Sequence, residues 1–255
     1  MISSNGNRKH LNSQDRPVAI ITGGGTGIGA ACSRALSQNG FYVGIHFRNS
    51  RESAHQVLSE IHGNGCLLQA DMNDIDQVER MVGVIQEKAG RVDVLVNNAG
   101  MCINEPMVRM KMDSFDSQRS VLRGVWYLTK RVLRVFMIKT SSGRIINISS
   151  VVGHTGNAGQ IPYTMEKAGM DAMTRSLSKE LWGRNILVNS VSPGFIETDM
   201  TKDLSEEIRQ QIVRQVPLGR MGKPEEVADV VSFLAGSGTY ITGSVIHVNG
   251  GMYCG

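Results

Sequence analysis

The chain has 255 residues, 41% of them hydrophobic, and a formal net charge of +4; it can bury a sizeable core, and its dispersed Lys and Arg, with no run of five like charges, exclude a basic nucleic-acid patch. No stretch approaches about 20 apolar residues, which excludes a membrane-spanning helix. Cys32, Cys66, Cys102 and Cys254 form no C-x-x-C pair and the histidines no H-E-x-x-H pattern, so no metal motif is present and the thiols read as free cysteines of a cytoplasmic protein.

Residues 1–15 are polar, carry no apolar run of a secretory signal, and read as a disordered extension ahead of a single domain over 16–255. Pro17 to Thr22 (PVAIIT) is a β-branched apolar run, predicted as a buried parallel strand. It enters Gly23-Gly24-Gly25-Thr26-Gly27-Ile28-Gly29, and a helix follows. Strand, glycine turn and helix together present free backbone amides to a phosphate. The turn residues Thr22, Gly23, Gly25, Thr26, Gly27, Ile28 and Gly29 are therefore candidate cofactor contacts, against the alternative of a ligand-free glycine turn.

Phe41 to Phe47 is the second predicted strand. In dinucleotide folds a carboxylate after this strand holds the ribose 2′-hydroxyl and selects NAD. Here His46-Phe47-Arg48-Asn49-Ser50 offers none. Arg48, with Asn49 and Ser50 beside it, suits a 2′-phosphate, so the expected cofactor is NADPH (NADP). A solvated loop arginine is the other reading. The third strand, Cys66 to Ala70, leads to Asp71 and Met72, a carboxylate and an apolar side chain able to flank an adenine ring.

Residues 74–89 carry Ile75, Val78, Met81, Val82 and Ile85 at helical spacing. Val92 to Val96 is a fourth strand ending in Asn97-Asn98-Ala99-Gly100, and Asn98, Ala99 and Gly100 join the candidate contacts. A Met-rich connection, 101–112, precedes a helical pattern over 113–139 whose apolar face suits either the core or a partner helix. Arg144 to Ser149 is the fifth strand; it contributes Ile148 to the cofactor set and delivers Ser150 at its C-terminal end, where open α/β sheets place their sites. A helix over 161–182 bears Tyr163 and Lys167. Four residues apart, they share one helix face.

A phenol titrates near about 10, and an ammonium held a few ångströms away favours its ionised form. That makes Tyr163 a candidate general acid, with Lys167 as its electrostatic partner and Ser150 as a second hydroxyl for the same oxygen. Ile186 to Ser192 is the sixth strand, closed by Pro193-Gly194; the polar segment 194–216 reads as a lid over the site. Helix 224–235 and a last strand, Ser244 to Val248, complete the chain. Strands alternating with helices predict an α/β, Rossmann-type, doubly wound fold: a mainly parallel seven-stranded sheet with helices on both faces.

These residues resemble the short-chain dehydrogenase/reductases over almost all of Pro17 to Tyr253. The family motif T-G-x-x-x-G-x-G falls on Thr22, Gly23, Gly27 and Gly29, N-N-A-G on Asn97 to Gly100, and Y-x-x-x-K on Tyr163 and Lys167. Ser150 matches the family serine, and Pro193-Gly194 its P-G motif, with Ile196 and Thr198 implied as nicotinamide contacts. Within the family, GRIINISSVVGHTGNAGQ, VSPGFIETDMT and YITGSVIHVNGGMY are similar to the bacterial β-ketoacyl-acyl-carrier-protein reductases. That resemblance implies NADPH-dependent reduction of a 3-oxoacyl thioester in fatty-acid-type synthesis. It also implies a homotetramer built on helices 113–139 and 161–182.

Three positions depart from the pattern. The family's catalytic asparagine, which helps hold a proton relay, aligns with Val121. The arginine often found in the glycine loop is Thr26, which leaves the 2′-phosphate to Arg48. Of two arginines implied in carrier-protein docking, Arg184 matches and Ser141 does not. Acyl-CoA, polyketide-type or free ketone substrates therefore stay open, as does a cofactor-binding paralogue of low activity.

Overall fold

The first strand, β1 (Val18–Ile21), is buried along its whole length. Its side chains alternate between two cores: Ala19 and Ile21 pack with one, Val18 and Ile20 with the other. A strand covered on both faces must be apolar at every position, which is why this run lacks polar alternation. The computed structural model describes residues 16–198 and 205–255. The expected extension 1–15 and residues 199–204 of the expected lid lie outside the described residues.

Six further strands follow: β2 (Tyr42–Phe47), β3 (Gly65–Gln69), β4 (Val94–Asn97), β5 (Gly143–Ile148), β6 (Ile186–Pro193) and β7 (Val245–Val248). They form a seven-stranded sheet in the order β3-β2-β1-β4-β5-β6-β7. Each pairing is parallel, where the sequence predicted only a mainly parallel sheet. The chain winds outward from β1 to β3, then returns to lay β4 on the other side of β1. That reversal opens a crevice at the C-terminal strand ends, the place where such sheets bind ligands.

The principal helices are α1 (Gly27–Gln38), α2 (Arg51–Glu60), α3 (Ile75–Ala89), α4 (Met112–Val132), α5 (Ile161–Leu181), α6 (Glu206–Arg214) and α7 (Pro224–Ala235). α1, α2 and α7 bury Ala31, Leu36, Val57, Val227 and Val231 against one sheet face. α3, α4 and α5 bury Val78, Met81, Leu128, Val132 and Leu181 against the other.

Local chemistry explains several boundaries. Asp74 caps α3 by accepting from the amides of Asp76 and Gln77, and Gly90 ends it at φ +69°. α7 opens on Pro224, with the Lys223 amide donating to Glu226 at 2.7 Å. α4 runs on through a π turn, Leu133–Met137, into Ile138–Thr140, so the pattern over 113–139 is one long helix. The segment expected to be a lid contains α6, of which only Ile212 is buried.

Candidate active site

Glycine dictates the turn after β1. Gly23 and Gly27 adopt φ +63° and +49°, in the left-handed region that side chains disfavour. A Cβ on Gly29 would stand 2.0 Å from the Gly23 carbonyl oxygen, so α1 approaches the turn only because that side chain is absent. Thr26 precedes α1 in extended geometry without a side-chain cap, and the first turn holds no acidic residue. The leading amides of α1, with the positive end of its dipole, are thereby left for an anion.

The turn is braced from behind. The Gly23 amide donates to Nδ1 of His46 at 3.0 Å, and His46 Nε2 lies 3.0 Å from the Ala70 carbonyl oxygen. Nδ1 must therefore be bare and Nε2 must carry the proton. Burial pushes this imidazole down to about 4, against opposing effects of the Ala70 hydrogen bond and Asp71. The Thr22 hydroxyl accepts from the Asn98 and Ala99 amides at 2.8 and 2.9 Å, and Asn98 Nδ2 donates to the Thr22 carbonyl oxygen at 2.9 Å. The T-G and N-N-A-G segments thus lock each other.

A groove of about 850 Å³ runs along the strand ends. Gly23, Gly25, Thr26, Gly27 and Ile28 line one part, with Arg48, Asn49, Ser50, Asp71 and Met72 beside them. Asn98, Ala99, Gly100 and Ile148 form its floor, and Pro193, Gly194, Ile196 and Thr198 a wall. Ser150, Tyr163 and Lys167 line it too, and so does Val121. Of the residues proposed from the sequence, Thr22 and Gly29 alone do not reach the groove; they shape the turn instead. Arg48 is exposed.

A polar line through the sheet holds the reactive end together. Asn97 Nδ2 donates to Asn147 Oδ1 at 2.8 Å and to the Thr129 hydroxyl at 3.0 Å. Asn147 Nδ2 donates to the Thr174 hydroxyl at 2.8 Å, which meets the Ser190 hydroxyl at 2.8 Å. The three strand residues occupy matching register on β4, β5 and β6. This line ties α4 and α5 to the strand ends, one step before Asn98, Ile148 and Val191.

Lys167 is buried, and its ammonium donates to the Ile148 carbonyl oxygen at 3.0 Å. Its Nζ stands 5.4 Å from the centre of the Tyr163 ring. Ser150 is the second residue after β5; the amide of Val151 bonds the Pro193 carbonyl oxygen at 2.8 Å, which sets the direction in which the chain leaves the strand. Two hydroxyls and one ammonium therefore share a groove that begins at an anion-binding turn. Such a set can donate a proton to an oxygen on which negative charge develops.

Sequence reasoning passed over His46 and Glu166. His46 lies within the strand Phe41 to Phe47, and nothing local marks its contact with Gly23, 23 positions away. Glu166 neighbours Lys167 in sequence, and adjacent helical residues do not ordinarily face each other; yet Gln118 Nε2 donates to its Oε2 at 2.5 Å inside the core.

A family profile described as enoyl-(acyl carrier protein) reductase matches residues 23–253. The 3-oxoacyl-[acyl-carrier-protein] reductase FabG of Staphylococcus aureus (strain Mu50) is 41% identical over 240 residues, 92% of this chain and 97% of that relative. The proteins of the same name from Thermotoga maritima and Aquifex aeolicus are 44% and 45% identical, each over 92% of this chain and 97% of the relative. The match spans the glycine turn, the strand-end groove and the Tyr163–Lys167 helix alike, and the chain belongs to the short-chain dehydrogenase/reductase family.

Proposed function

We propose that the chain is an NADPH-dependent oxidoreductase that reduces a 3-oxoacyl thioester, carried on an acyl-carrier protein, to the 3-hydroxyacyl thioester. The observation that carries this reading is the joining of an anion-binding turn to Ser150, Tyr163 and Lys167 along one groove. The groove suits a dinucleotide: uncapped amides open α1, no carboxylate directly follows β2, and an exposed Arg48 lines the groove there, a cation able to pair with a 2′-phosphate. Gly23 to Ile28 would hold the pyrophosphate, Asp71 and Met72 the adenine, and Pro193, Gly194, Ile196 and Thr198 the nicotinamide. When bound, NADPH supplies a hydride to the substrate carbonyl carbon.

Ser150 and Tyr163 would hydrogen-bond the carbonyl oxygen. As negative charge grows there, Tyr163 passes its phenolic proton to that oxygen. The Lys167 ammonium stabilises the tyrosinate left behind. One well-aimed donor to such an oxyanion is worth about 3–4 kcal/mol. The homotetramer remains part of the proposal, supported by Trp126 on α4 and Met165 on α5, apolar side chains 53% and 55% exposed. So does a cytoplasmic setting, supported by four free thiols.

NADPH oxidation with acetoacetyl-acyl-carrier protein, acetoacetyl-CoA and a crotonyl thioester tests the reading. The acetoacetyl thioesters are expected to be consumed and the crotonyl thioester left intact. Consumption of the crotonyl thioester alone would replace ketoreduction with the enoyl reduction that the matching profile's description names.

A further inference from the structure

Beside Lys167 lies a buried carboxyl group that the reaction as described does not use. Glu166 is 3% exposed, as is Lys167 itself. Its Oε1 stands 3.7 Å from Lys167 Nζ and has no hydrogen-bond partner. That separation exceeds a hydrogen bond but lies within a small side-chain rotation of one. Its Oε2 accepts from Gln118 Nε2 at 2.5 Å. Gln118, fully buried on α4, is held in turn by the Met101 carbonyl oxygen at 2.7 Å and the Ile103 amide at 3.1 Å. The carboxyl is thus anchored by one oxygen, and the other oxygen faces the lysine.

Val121, one helical turn along α4 from Gln118, brings no polar atom to the groove. Each reduction takes one proton from Tyr163, and that proton must be restored. We infer that Glu166 is a proton-holding and positioning residue that resupplies Lys167, with Gln118 fixing its orientation. The Tyr163 O–H bond breaks and the product O–H bond forms. The tyrosinate then takes a proton from the Lys167 ammonium, and the neutral amine takes one from the Glu166 carboxylic acid. Water in the groove reprotonates the carboxylate. No charge is gained or lost over the cycle beyond the one proton that reduction consumes.

The groups around Glu166 support this. Burial raises its carboxyl above the ordinary range, opposed by Lys167 and by the Gln118 hydrogen bond. The facing charged or titratable groups are Lys167 on α5 itself and Cys102 on the connection after β4, whose thiol is raised by burial and by Glu166. α4 contributes the neutral Gln118. The acid form holds the proton to be delivered, so turnover is expected to fall as pH rises through the Glu166 ionisation.

This inference rests on the reductase reading, and the test separates the two. Glu166→Gln keeps the shape and the Gln118 contact but holds no exchangeable carboxyl proton. It is expected to bind NADPH within about twofold of the parent, to lose on the order of 10²-fold in kcat, and to lack the parent's alkaline loss of kcat. Glu166→Asp, with its carboxyl drawn back, is expected to be slowed yet to keep that alkaline loss. An unaltered kcat and pH profile in Glu166→Gln would overturn the proposal. A substrate-free readout covers the remaining cases: the infrared stretch of a protonated carboxyl, isolated by subtracting the Glu166→Gln spectrum, is expected to vanish with rising pH and to shift in Lys167→Met. A carboxyl ionised throughout, or indifferent to Lys167→Met, overturns the proposal even where no ketone is turned over.

Discussion

The Gly23 amide donates to His46 Nδ1 at 3.0 Å, so a neutral imidazole holds the first glycine of the turn after β1. A proton on Nδ1 would face that amide with another donor. The shape of the turn and the charge of one buried histidine are therefore coupled.

This coupling sets a pH dependence of stability. The imidazole titrates near its ordinary 6.5 when unfolded and near about 4 in the fold. The folded state thus binds fewer protons between these values. The contribution is fully present above 6.5 and lost as pH falls toward 4, in total on the order of 3 kcal/mol, with about 2 kcal/mol gone by pH 5. His46→Asn retains an acceptor for the amide but does not titrate there. Urea unfolding at pH 7 and pH 5 is expected to show a smaller difference in this variant than in the parent.

In the proposed reading, Arg48 selects NADPH over NADH. No carboxylate directly follows β2 in the chain, where one would favour a free 2′-hydroxyl. A charge-assisted bond to a 2′-phosphate is worth about 1.5–3 kcal/mol, or roughly 10- to 100-fold. Arg48→Ala is expected to lower kcat/KM with NADPH by that factor and to leave NADH almost unchanged. Parallel steady-state assays with both cofactors check it.

Tyr163→Phe removes the phenolic proton and preserves the ring beside Lys167. Turnover is expected to fall about 10²–10⁴-fold, with NADPH affinity retained in a fluorescence titration. Near-normal reduction by this variant would sink the acid role given to Tyr163.

Val121 is 6% exposed and borders the groove. With proton resupply assigned to Glu166, Val121→Asn is expected to leave kcat within about threefold of the parent. The new amide enters a mostly buried position, and each polar group left unsatisfied there costs about 1–3 kcal/mol. A lowered thermal midpoint without a gain in turnover is the expected outcome; a large rise in kcat would show that the relay lacks an asparagine.

Asn147 sits between Asn97 and Thr174 in the polar line through the sheet. Asn147→Ala strips a partner from two buried groups, at about 1–3 kcal/mol each. Chemical denaturation is expected to register a loss of that order, larger than for an alanine substitution at an exposed polar residue.

The sequence alone determined the order of strands and helices, the turn that opens α1 and the pairing of Tyr163 with Lys167. Each of these is local: β-branched runs, helical periodicity, a glycine where φ is positive, and a four-residue step on one helix face. The tertiary structure decided the rest. The sheet order, with β4 laid beside β1, brings Asn98 onto Thr22 across 76 positions. His46 reaches back to Gly23, and the matching register of Asn97, Asn147 and Ser190 appears only once β4, β5 and β6 lie side by side. Glu166 turns inward because Gln118, 48 positions earlier, offers its buried carboxyl a donor. A buried polar group takes whatever partner the packing provides, and spacing along the chain carries no record of that choice.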